Sequence, residues 1–393
     1  IKKKNFLKEL DYEWNKDKKK FKKDENIFPF LGGWFIYLGY ELVSQIENRV
    51  ISHEHRYDFP VAFATRIPAA IIKDNFNNET FIICEKKYKR LIKKIENDVE
   101  ILLKKKKFLL KEKKIKNKIL TSSLKEEPAK NHIKNINKIL KYIQAGDVFQ
   151  VNLSREWYGK INKKYSASDI FSKLKNTNPS PFAGLVVYKN KAIISSSPER
   201  LITVKNGYIE TRPIAGTRSR GGSGIYDVAM SKDLLNNKKE RAEHIMLVDL
   251  ERNDLSKITN KGSVKVNELM IVESYTHVHH IVSNVIGKVR EDVTPGKIIE
   301  AVFPGGTITG CPKVRCMEIL SEIEKTGRGP YTGSIGYVNN DGSMDLNILI
   351  RTIVKDENNV SIRAGGGIVA DSIPKRELEE AKAKAKGMIN ALI

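Results

Sequence analysis

Two pairs of glutamates in this chain could hold a hard metal cation. Glu240 and Glu243 lie three residues apart in one predicted helix, and Glu377 and Glu380 repeat that spacing near the end of the sequence. Residues at i and i+3 share a helix face. If the two faces met, four carboxylates would surround one ion, with substrate oxygens completing its shell. The alternative is a solvated face of Glu–Lys pairs, and the spacing alone favours that alternative.

Glycine-rich turns beside cationic side chains form a second group of candidates. The segment PIAGTR (213–218) follows one predicted strand, and RAGGG (363–367) ends another. Flexible backbone with N–H groups available suits carboxylate binding. Arg351 falls in the middle of the predicted strand 347–354, where a guanidinium is unusual unless it binds an anion. The simpler interpretation of each is a turn or a strand-end arginine.

The glycines of FPGGTITGCPK (303–313) do not form a nucleotide-binding loop. The segment lacks the Gly-Lys-Ser/Thr order of a P-loop, and a proline interrupts it. It predicts a strand-to-helix turn with Pro312 in the first helical turn. His279 and His280 are neighbours in a predicted strand, so their rings point to opposite faces. The sequence shows no Ser/His/Asp or Cys/His hydrolase arrangement.

The elements that would position these residues predict an α+β fold. Predicted helices come in blocks between hairpins, not in strict βαβ alternation, which favours largely antiparallel sheets. The Lys-rich stretch 86–118 is predicted as one or two helices followed by a connector. Other helices are predicted at 131–145, 232–249, 295–302, 312–326 and 374–392. Strands are predicted at 34–38, 61–65, 69–72, 148–153, 183–187, 192–195, 202–204, 208–210, 272–289, 334–338, 347–354 and 360–364.

Charge and composition exclude several classes of protein. The 393 residues include 70 Lys and Arg against 47 Asp and Glu, for a net charge of +23. No zinc-finger spacing, ribonucleoprotein motif or helix-turn-helix accompanies this charge, so we expect no nucleic-acid partner. No apolar run is long enough to cross a bilayer, so we expect no membrane span. Three cysteines without a C-x-x-C motif predict a reduced, cytoplasmic protein.

Nine segments, taken together and in this order, resemble the chorismate-utilising enzymes. That family comprises anthranilate synthase component I, aminodeoxychorismate synthase component I, and the isochorismate and salicylate synthases. A weaker likeness in PFLGGWFIYLGYEL (29–42) extends the resemblance towards the N-terminus. The nine segments are FQVNLSR (149–155), SSPER (196–200), PIAGTRSRGG (213–222), ERAEHIMLVDLERNDL (240–255), VHHIVSNV (278–285), FPGGTITGCPKVRCMEI (303–319), YTGSIGY (331–337), MDLNILIRT (344–352) and AGGGIVADS (364–372).

The resemblance implies a large α/β sandwich with two antiparallel sheets and outer helices. Residues 1–119 would form the N-terminal region of the sandwich, with a truncated start and the Lys-rich connector, and residues 120–393 the chorismate-binding catalytic region. It also implies Mg²⁺ as cofactor. Its ligands would be Glu243 and Glu377, with Glu240 and Glu380 in supporting positions.

The family's other roles fall on matching positions of this chain. Glu199 matches the general acid that protonates the leaving C4 hydroxyl, and His280 matches the site histidine. Where the water-adding members carry a lysine base, this chain has Gln150, which favours ammonia as the nucleophile. The sequence has no glutaminase signature, so a glutamine amidotransferase subunit would supply the ammonia. The positions matching those that hold the chorismate carboxylates are Thr217, Tyr331, Arg351, Gly365 and Gly367, and Ala215 and Gly216 lie beside Thr217.

The product expected from the resemblance is 4-amino-4-deoxychorismate. Asn152, His279, Ser334 and Gly366 are more typical of aminodeoxychorismate synthase component I, which serves 4-aminobenzoate and folate biosynthesis with a downstream aminodeoxychorismate lyase. Ala215 favours the alternative, anthranilate synthase component I of tryptophan biosynthesis, because many aminodeoxychorismate synthases carry a nucleophilic lysine there. A non-catalytic paralogue or binding module is a remote alternative, since the matching site residues are intact.

Overall fold

The structure is a computed structural model that describes residues 5–19, 28–109, 118–219, 238–274 and 278–393. Side chains are described for these residues except at 106–109, 217–219, 238–239 and 278. Parts of three predictions therefore lie outside the described residues: the connector after the Lys-rich helix, the start of the helix predicted at 232–249, and residues 275–277.

Most of the predicted helices are present, although the helix predicted at 232–249 continues to Ser256 in the structure. The helix predicted at 131–145 begins two residues earlier, and the Lys-rich stretch contains one long helix within its described part. None of the helices in the described ranges is both long and apolar enough to cross a membrane. The helices are α1 (Phe6–Asp17), α2 (Val43–Ile46), α3 (Arg90–Leu109), α4 (Ala129–Gln144), α5 (Ala167–Thr177), α6 (Lys238–Ser256), α7 (Pro295–Val302), α8 (Lys313–Glu324) and α9 (Pro374–Leu392).

The first of two large sheets joins strands from both ends of the chain. Its order is β11-β13-β10-β9-β16-β15-β1-β2, with β12 paired to β13, and every described pairing is antiparallel. Its strands are β1 (Gly33–Leu38), β2 (Ala62–Ile67), β9 (Arg200–Lys205), β10 (Tyr208–Thr211), β11 (Ile214–Ser219), β12 (Lys265–Ser274), β13 (Val278–Lys288), β15 (Ser334–Asn339) and β16 (Met344–Asn347).

The second large sheet is antiparallel as well. Its order is β14-β6-β18-β17-β8-β7, with β5 paired to β6, and a separate hairpin joins β3 to β4. The strands outside the first sheet are β3 (Ala69–Asp74), β4 (Glu79–Cys84), β5 (Lys125–Glu126), β6 (Gln150–Lys160), β7 (Phe182–Tyr188), β8 (Lys191–Ser197), β14 (Gly310–Cys311), β17 (Thr352–Asp356) and β18 (Asn359–Ile368).

The two sheets pack face to face, and helices cover their outer sides. Between the sheets, Tyr37 and Ile335 of the first contact Val186 and Ile193 of the second in one apolar cluster. A larger cluster packs α1, α6 and α7 on the first sheet, and another packs α5 and α9 on the second. This arrangement confirms the predicted α+β sandwich with two antiparallel sheets and outer helices.

The chain crosses from one sheet to the other at two places that are close in space. At one of them the structure differs from the predicted strand. β8 lies in the second sheet and β9 in the first, so the chain crosses at residues 198–199. The strand predicted at 347–354 is two strands in different sheets, and residues 348–351 form the crossover. Arg351 lies in this turn with φ at 52°, not in the middle of a strand. Ile348 is buried in the core that the first sheet forms with its helices, and Leu349 is buried between the sheets, so the apolar pattern stays continuous across the break.

The two crossovers are hydrogen-bonded to each other. The Ile348 N–H donates to the Glu199 carbonyl at 3.0 Å, and the Ser197 hydroxyl donates to the Ile348 carbonyl at 2.5 Å. Glu199 and Arg351 are therefore held close together, although 152 positions separate them in the sequence.

Candidate active site

Glu199 lies on the first crossover as a buried carboxyl with 8% of its surface exposed. The Thr307 hydroxyl donates a hydrogen bond to its Oε1 at 2.7 Å. Burial raises the pKa of Glu199 to about 7, although the Thr307 hydroxyl and the charges of Arg351 and Lys384 each act to lower it. A carboxyl with such a pKa can carry a proton near neutral pH and release it to a substrate.

A row of polar side chains begins beside Glu199 on β6. Gln150 and Asn152 point to the same face of this strand because they are two residues apart. The Asn152 amide donates to the Thr307 carbonyl at 3.3 Å, and its buried Oδ1 has no hydrogen-bond partner among the described residues. Gln150 lies over Gly367 of the neighbouring β18, where an added methyl group would approach its Nε2 to 2.6 Å. Gln150 and Gly367 therefore lie in contact.

Arg351 provides the positive charge of this region. Burial lowers the pKa of its guanidinium, while Tyr331, Glu199 and Glu380 act to raise it. These electrostatic partners place Arg351 among three other predicted site residues. Tyr331 is 6% exposed, and burial raises the pKa of its phenol, so it stays a neutral hydrogen-bonding group. Arg351 and Tyr331 together could bind a carboxylate.

The turn at the start of β11 brings two further predicted residues together. β11 carries a bulge between Ala215 and Thr217, and Gly216 within it has φ at 70°, a backbone angle that favours glycine. His280 on β13 pairs with Thr217, and its Nδ1 donates to the Gly216 carbonyl at 3.4 Å. Burial lowers the pKa of His280, so the ring is neutral at pH 7. The side chain of Thr217 lies outside the described set.

The opposite faces predicted for the histidine pair are also observed. His279 is 3% exposed and makes a 2.8 Å hydrogen bond through its Nδ1 to the Ser274 hydroxyl on β12. It thus lies on the side of β13 away from His280 and supports the sheet.

The second acidic pair lies against the glycines of β18. A methyl group added at Gly366 would come within 3.2 Å of the Glu380 Oε1 and 3.8 Å of the Glu377 Oε2. Lys384, one turn further along α9, pairs with Glu380 at 2.6 Å and donates to the Gly365 carbonyl at 3.0 Å. The Glu–Lys pair that was the alternative to a metal site is therefore present at Glu380.

The first acidic pair borders a wide cleft. Glu243 lies in the wall of a cleft of about 1100 Å³, together with residues 369–371, which lead into the helix that carries Glu377. Glu240 lies one turn earlier on α6 and is partly buried. Within the described ranges, no three His, Cys, Asp or Glu side chains converge as a metal cluster. Mg²⁺ commonly takes only one or two protein carboxylates and completes its shell with water and substrate oxygens, so a site for it needs no larger cluster.

Sequence reasoning missed two residues of this region. Thr307 was inside a recognised motif, but nothing in the sequence linked its hydroxyl to Glu199. Lys384 is four residues after Glu380 on the same helix face, a signal that was available. The Lys384 ammonium lowers the pKa of Glu199 and forms an ion pair with Glu380 of the second acidic pair.

Comparisons with known proteins identify the family of this chain. A family model described as chorismate binding enzyme matches residues 2–390. The chain belongs to the chorismate-binding enzyme family. Aminodeoxychorismate synthase component 1 of Bacillus subtilis (strain 168) is 49% identical over 261 residues, which cover 65% of this chain and 54% of that protein. Anthranilate synthase component 1 of Acetivibrio thermocellus is 39% identical over 381 residues, covering 93% of this chain and 76% of that protein.

A solved structure of the family has the same fold. The crystal structure of anthranilate synthase component I from Streptococcus pneumoniae TIGR4 matches with a TM-score of 0.85 and 31% identity. The match covers 99% of this chain and 86% of that one. The chorismate-binding family thus includes relatives of both product types, and membership alone does not decide between them.

Proposed function

We propose that this chain is an aminodeoxychorismate synthase component I, which converts chorismate and ammonia to 4-amino-4-deoxychorismate. The observation that carries the proposal is the buried Glu199 carboxyl, whose pKa is raised to about 7 beside Arg351. It can act as an acid next to a group that binds the substrate's carboxylate. The amide side chains of Gln150 and Asn152 line the same region.

Chorismate carries two carboxylates, and the site offers positive charge and backbone N–H groups for them. We assign one carboxylate to Arg351 and Tyr331, together with the backbone of Gly365 and Gly367. This binding would place the ring between Glu199 and β6. Thr217 and the Ala215–Gly216 bulge border the same region next to His280.

Glu199 would donate its proton to the C4 hydroxyl as that group leaves. A neighbouring carboxyl with a pKa near the working pH serves this step best, because it is both protonated and acidic enough to transfer the proton. Thr307 would hold Oε1 in place through its 2.7 Å hydrogen bond, leaving Oε2 to face the substrate.

Ammonia would be the nucleophile, because Gln150 cannot remove a proton from water at neutral pH. Neutral ammonia carries its own lone pair and needs no base to attack. We propose that a glutamine amidotransferase subunit supplies it, and that a separate aminodeoxychorismate lyase completes 4-aminobenzoate. Ala215 offers no amine, so the enzyme forms no covalent lysine adduct with the ring.

Mg²⁺ would be held by Glu243 and Glu377, with Glu240 and Glu380 in support. The absence of a side chain at Gly366 leaves room beside Glu377 and Glu380, which fits a bound ion and the substrate oxygens around it. When bound, the ion neutralises the substrate's ring carboxylate and eases loss of the C4 hydroxyl.

Two of the four residues that favour this product over anthranilate lie in the site. Asn152 contacts the Thr307 segment, and Gly366 faces the second acidic pair. His279 and Ser334 are buried within the first sheet and would act only through it. Anthranilate synthase component I is the second candidate, and Ala215 is the observation that favours it.

Identification of the product tests the proposal. The purified chain is incubated with chorismate, an ammonium salt and Mg²⁺, and aminodeoxychorismate lyase is then added. We expect fluorescent 4-aminobenzoate to form only after the lyase is added. Release of anthranilate and pyruvate without lyase would establish the second candidate instead, and no chorismate consumption would refute both.

The metal assignment is tested by removing one carboxylate charge at a time. Glu243→Gln or Glu377→Gln should lower chorismate turnover at least about 100-fold, because each charge holds the ion next to the substrate. Glu379→Gln, on the exposed side of α9 in a pair with Lys382, is the matched control and should retain activity. Mg²⁺ binding measured by calorimetry should weaken in the two site variants alone. Full turnover in excess chelator would contradict the assignment.

A further inference from the structure

A second buried carboxyl lies behind the catalytic region, on the inner face of α6. Glu251 is 4% exposed, and its side chain faces the turn that contains Gly305, Gly306 and Thr307. A methyl group added at Gly306 would lie 3.1 Å from the Glu251 Oε1 and 2.5 Å from the Leu250 Cδ2. The turn therefore rests directly on α6, and only glycine permits this approach.

The turn connects Glu251 to the proposed acid through consecutive residues. The Gly306 amide faces the Glu251 carboxyl and acts to lower its pKa, and the next residue, Thr307, donates its hydroxyl to the Glu199 Oε1 at 2.7 Å. The Thr309 hydroxyl closes the turn by donating to the Gly305 carbonyl at 2.9 Å. Movement of the Gly306 amide would therefore displace the Thr307 hydroxyl.

Charged groups face the two carboxyls from several elements. Glu251 is approached by Lys313 at the start of α8, by Asp254 of its own helix and by Glu199. Lys313 is shared, since its ammonium also pairs with Asp254 and donates to the Val302 carbonyl at 3.2 Å. Arg351 and Lys384 are charged groups that act on Glu199, and both lower its pKa.

The two carboxyls also influence each other's protonation. Burial raises the pKa of Glu251 to about 7, with Asp254 and Glu199 adding to the rise and Lys313 and the Gly306 amide opposing it. Interaction between two like charges is mutual, so an ionised Glu251 makes Glu199 harder to ionise.

We propose that Glu251 is a positioning residue for the general acid Glu199: it anchors the Gly306 amide so that the Thr307 hydroxyl reaches Glu199, and its charge helps Glu199 keep its proton. The catalytic consequence of this inference rests on the proposed function. The contact between Glu251 and Gly306 does not depend on that function. The two roles are separable, because a glutamine can accept the Gly306 hydrogen bond without carrying charge.

Steady-state kinetics of two variants test the two roles. Glu251→Gln keeps the acceptor and removes the charge, so kcat at pH 6.5 should stay within about threefold of the parent protein. Its alkaline limb of kcat/KM for chorismate should move to lower pH by roughly 0.5–1 unit, because Glu199 loses a like charge. Glu251→Leu also removes the acceptor, and kcat should fall at least about tenfold at every pH with little change in KM.

Glu41→Gln is the matched control. Glu41 is also a buried carboxyl, but it accepts the Gly329 N–H at 2.9 Å and makes no contact with the turn that carries Thr307 among the described hydrogen bonds. Its pH profile should superimpose on that of the parent protein. If Glu251→Gln is unfolded by circular dichroism, Glu251→Asp replaces it: this variant keeps the charge and withdraws the acceptor, so kcat should fall with the alkaline limb unmoved.

A double-mutant cycle tests the coupling without any activity. Urea unfolding at pH 8 is measured for the parent, Glu199→Gln, Glu251→Gln and the double variant. Glu199→Gln should raise the free energy of unfolding of both the parent and the Glu251→Gln variant. The increase in the Glu251→Gln variant should be roughly half of the increase in the parent. Additive effects together with an unmoved pH profile would overturn the inference. Absence of chorismate turnover in the parent would refute the proposed function while leaving this cycle to decide the coupling.

Discussion

Burial disfavours the ionised form of the Glu199 carboxyl, and the same burial lets it carry a proton near neutral pH. It is buried at a crossover and receives one hydroxyl hydrogen bond, and Arg351 and Lys384 only partly offset the loss of water. Its pKa therefore rises to about 7, far above the 4.5 of an exposed glutamate. Strongly shifted groups of this kind concentrate at functional sites.

This shift makes a prediction about stability. Because the folded-state pKa of Glu199 is above its unfolded value, the folded protein is destabilised progressively as pH rises from about 4.5 to about 7. Glu199→Gln should therefore raise the free energy of unfolding at pH 8 by up to about 3 kcal/mol, while abolishing turnover. Urea unfolding at pH 4 and pH 8 measures it. Equal effects at both pH values would show that folding does not shift the pKa of Glu199.

At the scale of elements, β6 is supported from behind by a buried ion network. The Glu324 carboxylate at the end of α8 accepts from the Ser154 N–H at 2.9 Å and its hydroxyl at 2.8 Å, and from the Arg328 Nε at 2.8 Å. Arg328 in turn donates to the Asn152 carbonyl at 2.7 Å. This network fixes the strand that carries Gln150 and Asn152 through hydrogen bonds to Ser154 and to the Asn152 carbonyl.

Removing one charge of this network should be severe. Burial acts to raise the pKa of Glu324, but Arg328 and Arg363 outweigh it and hold the value at about 2. Glu324→Gln leaves both arginines buried without their counter-ion and should cost about 3–5 kcal/mol of stability. In the parent protein this contribution is fully present above about pH 4.5 and is lost as pH falls towards 2.

The control for this variant lies on the same helix. Glu322→Gln removes an exposed carboxylate that accepts from the Tyr142 hydroxyl at 2.6 Å, and its effect should stay below about 1 kcal/mol. Chemical denaturation at pH 7 compares the two variants. If Glu324→Gln is as mild as the control, the network contributes little to holding β6.

At the scale of the whole molecule, the first and last thirds of the chain form one sheet. β1 pairs with β15 along its full length, from Gly33 opposite Asn339 to Leu38 opposite Ser334. Ile36 and Leu38 are fully buried in the same cluster as Val338 and Leu346. The boundary proposed near residue 120 thus separates segments of sequence whose strands share a sheet and a core.

A truncation tests how far residues 120–393 depend on the N-terminal region. Without residues 1–119, the chain would expose the edge of β15 and the apolar side chains that β1 covers. We expect this fragment to lack a cooperative thermal transition and to aggregate. Replacing residues 90–117, which include the largely exposed α3, with a glycine-serine linker of equal length should leave cooperative unfolding in place. A stable, chorismate-consuming fragment would instead support an independent catalytic region.

The sequence by itself determined which segments are helices and strands wherever periodicity was local. The helices at 129–144, 295–302 and 374–392 and the hairpin around Asn206-Gly207 follow from apolar spacing and turn residues, which act over a few positions. The matching segments also identified the family, since they record residue types in order. The predicted α+β sandwich is confirmed on both grounds, while the roles of individual site residues stay predictions.

Only the tertiary structure decided where strands change sheets and which groups share a buried environment. Ile348 is buried in the core of the first sheet and Leu349 between the sheets, so the apolar pattern runs without interruption through the crossover that carries Arg351. The contacts of Glu199 with Thr307, and of Gly306 with Glu251, join residues that are far apart in the sequence. Their pKa values depend on burial produced by packing of the whole chain, which no local pattern of residues encodes.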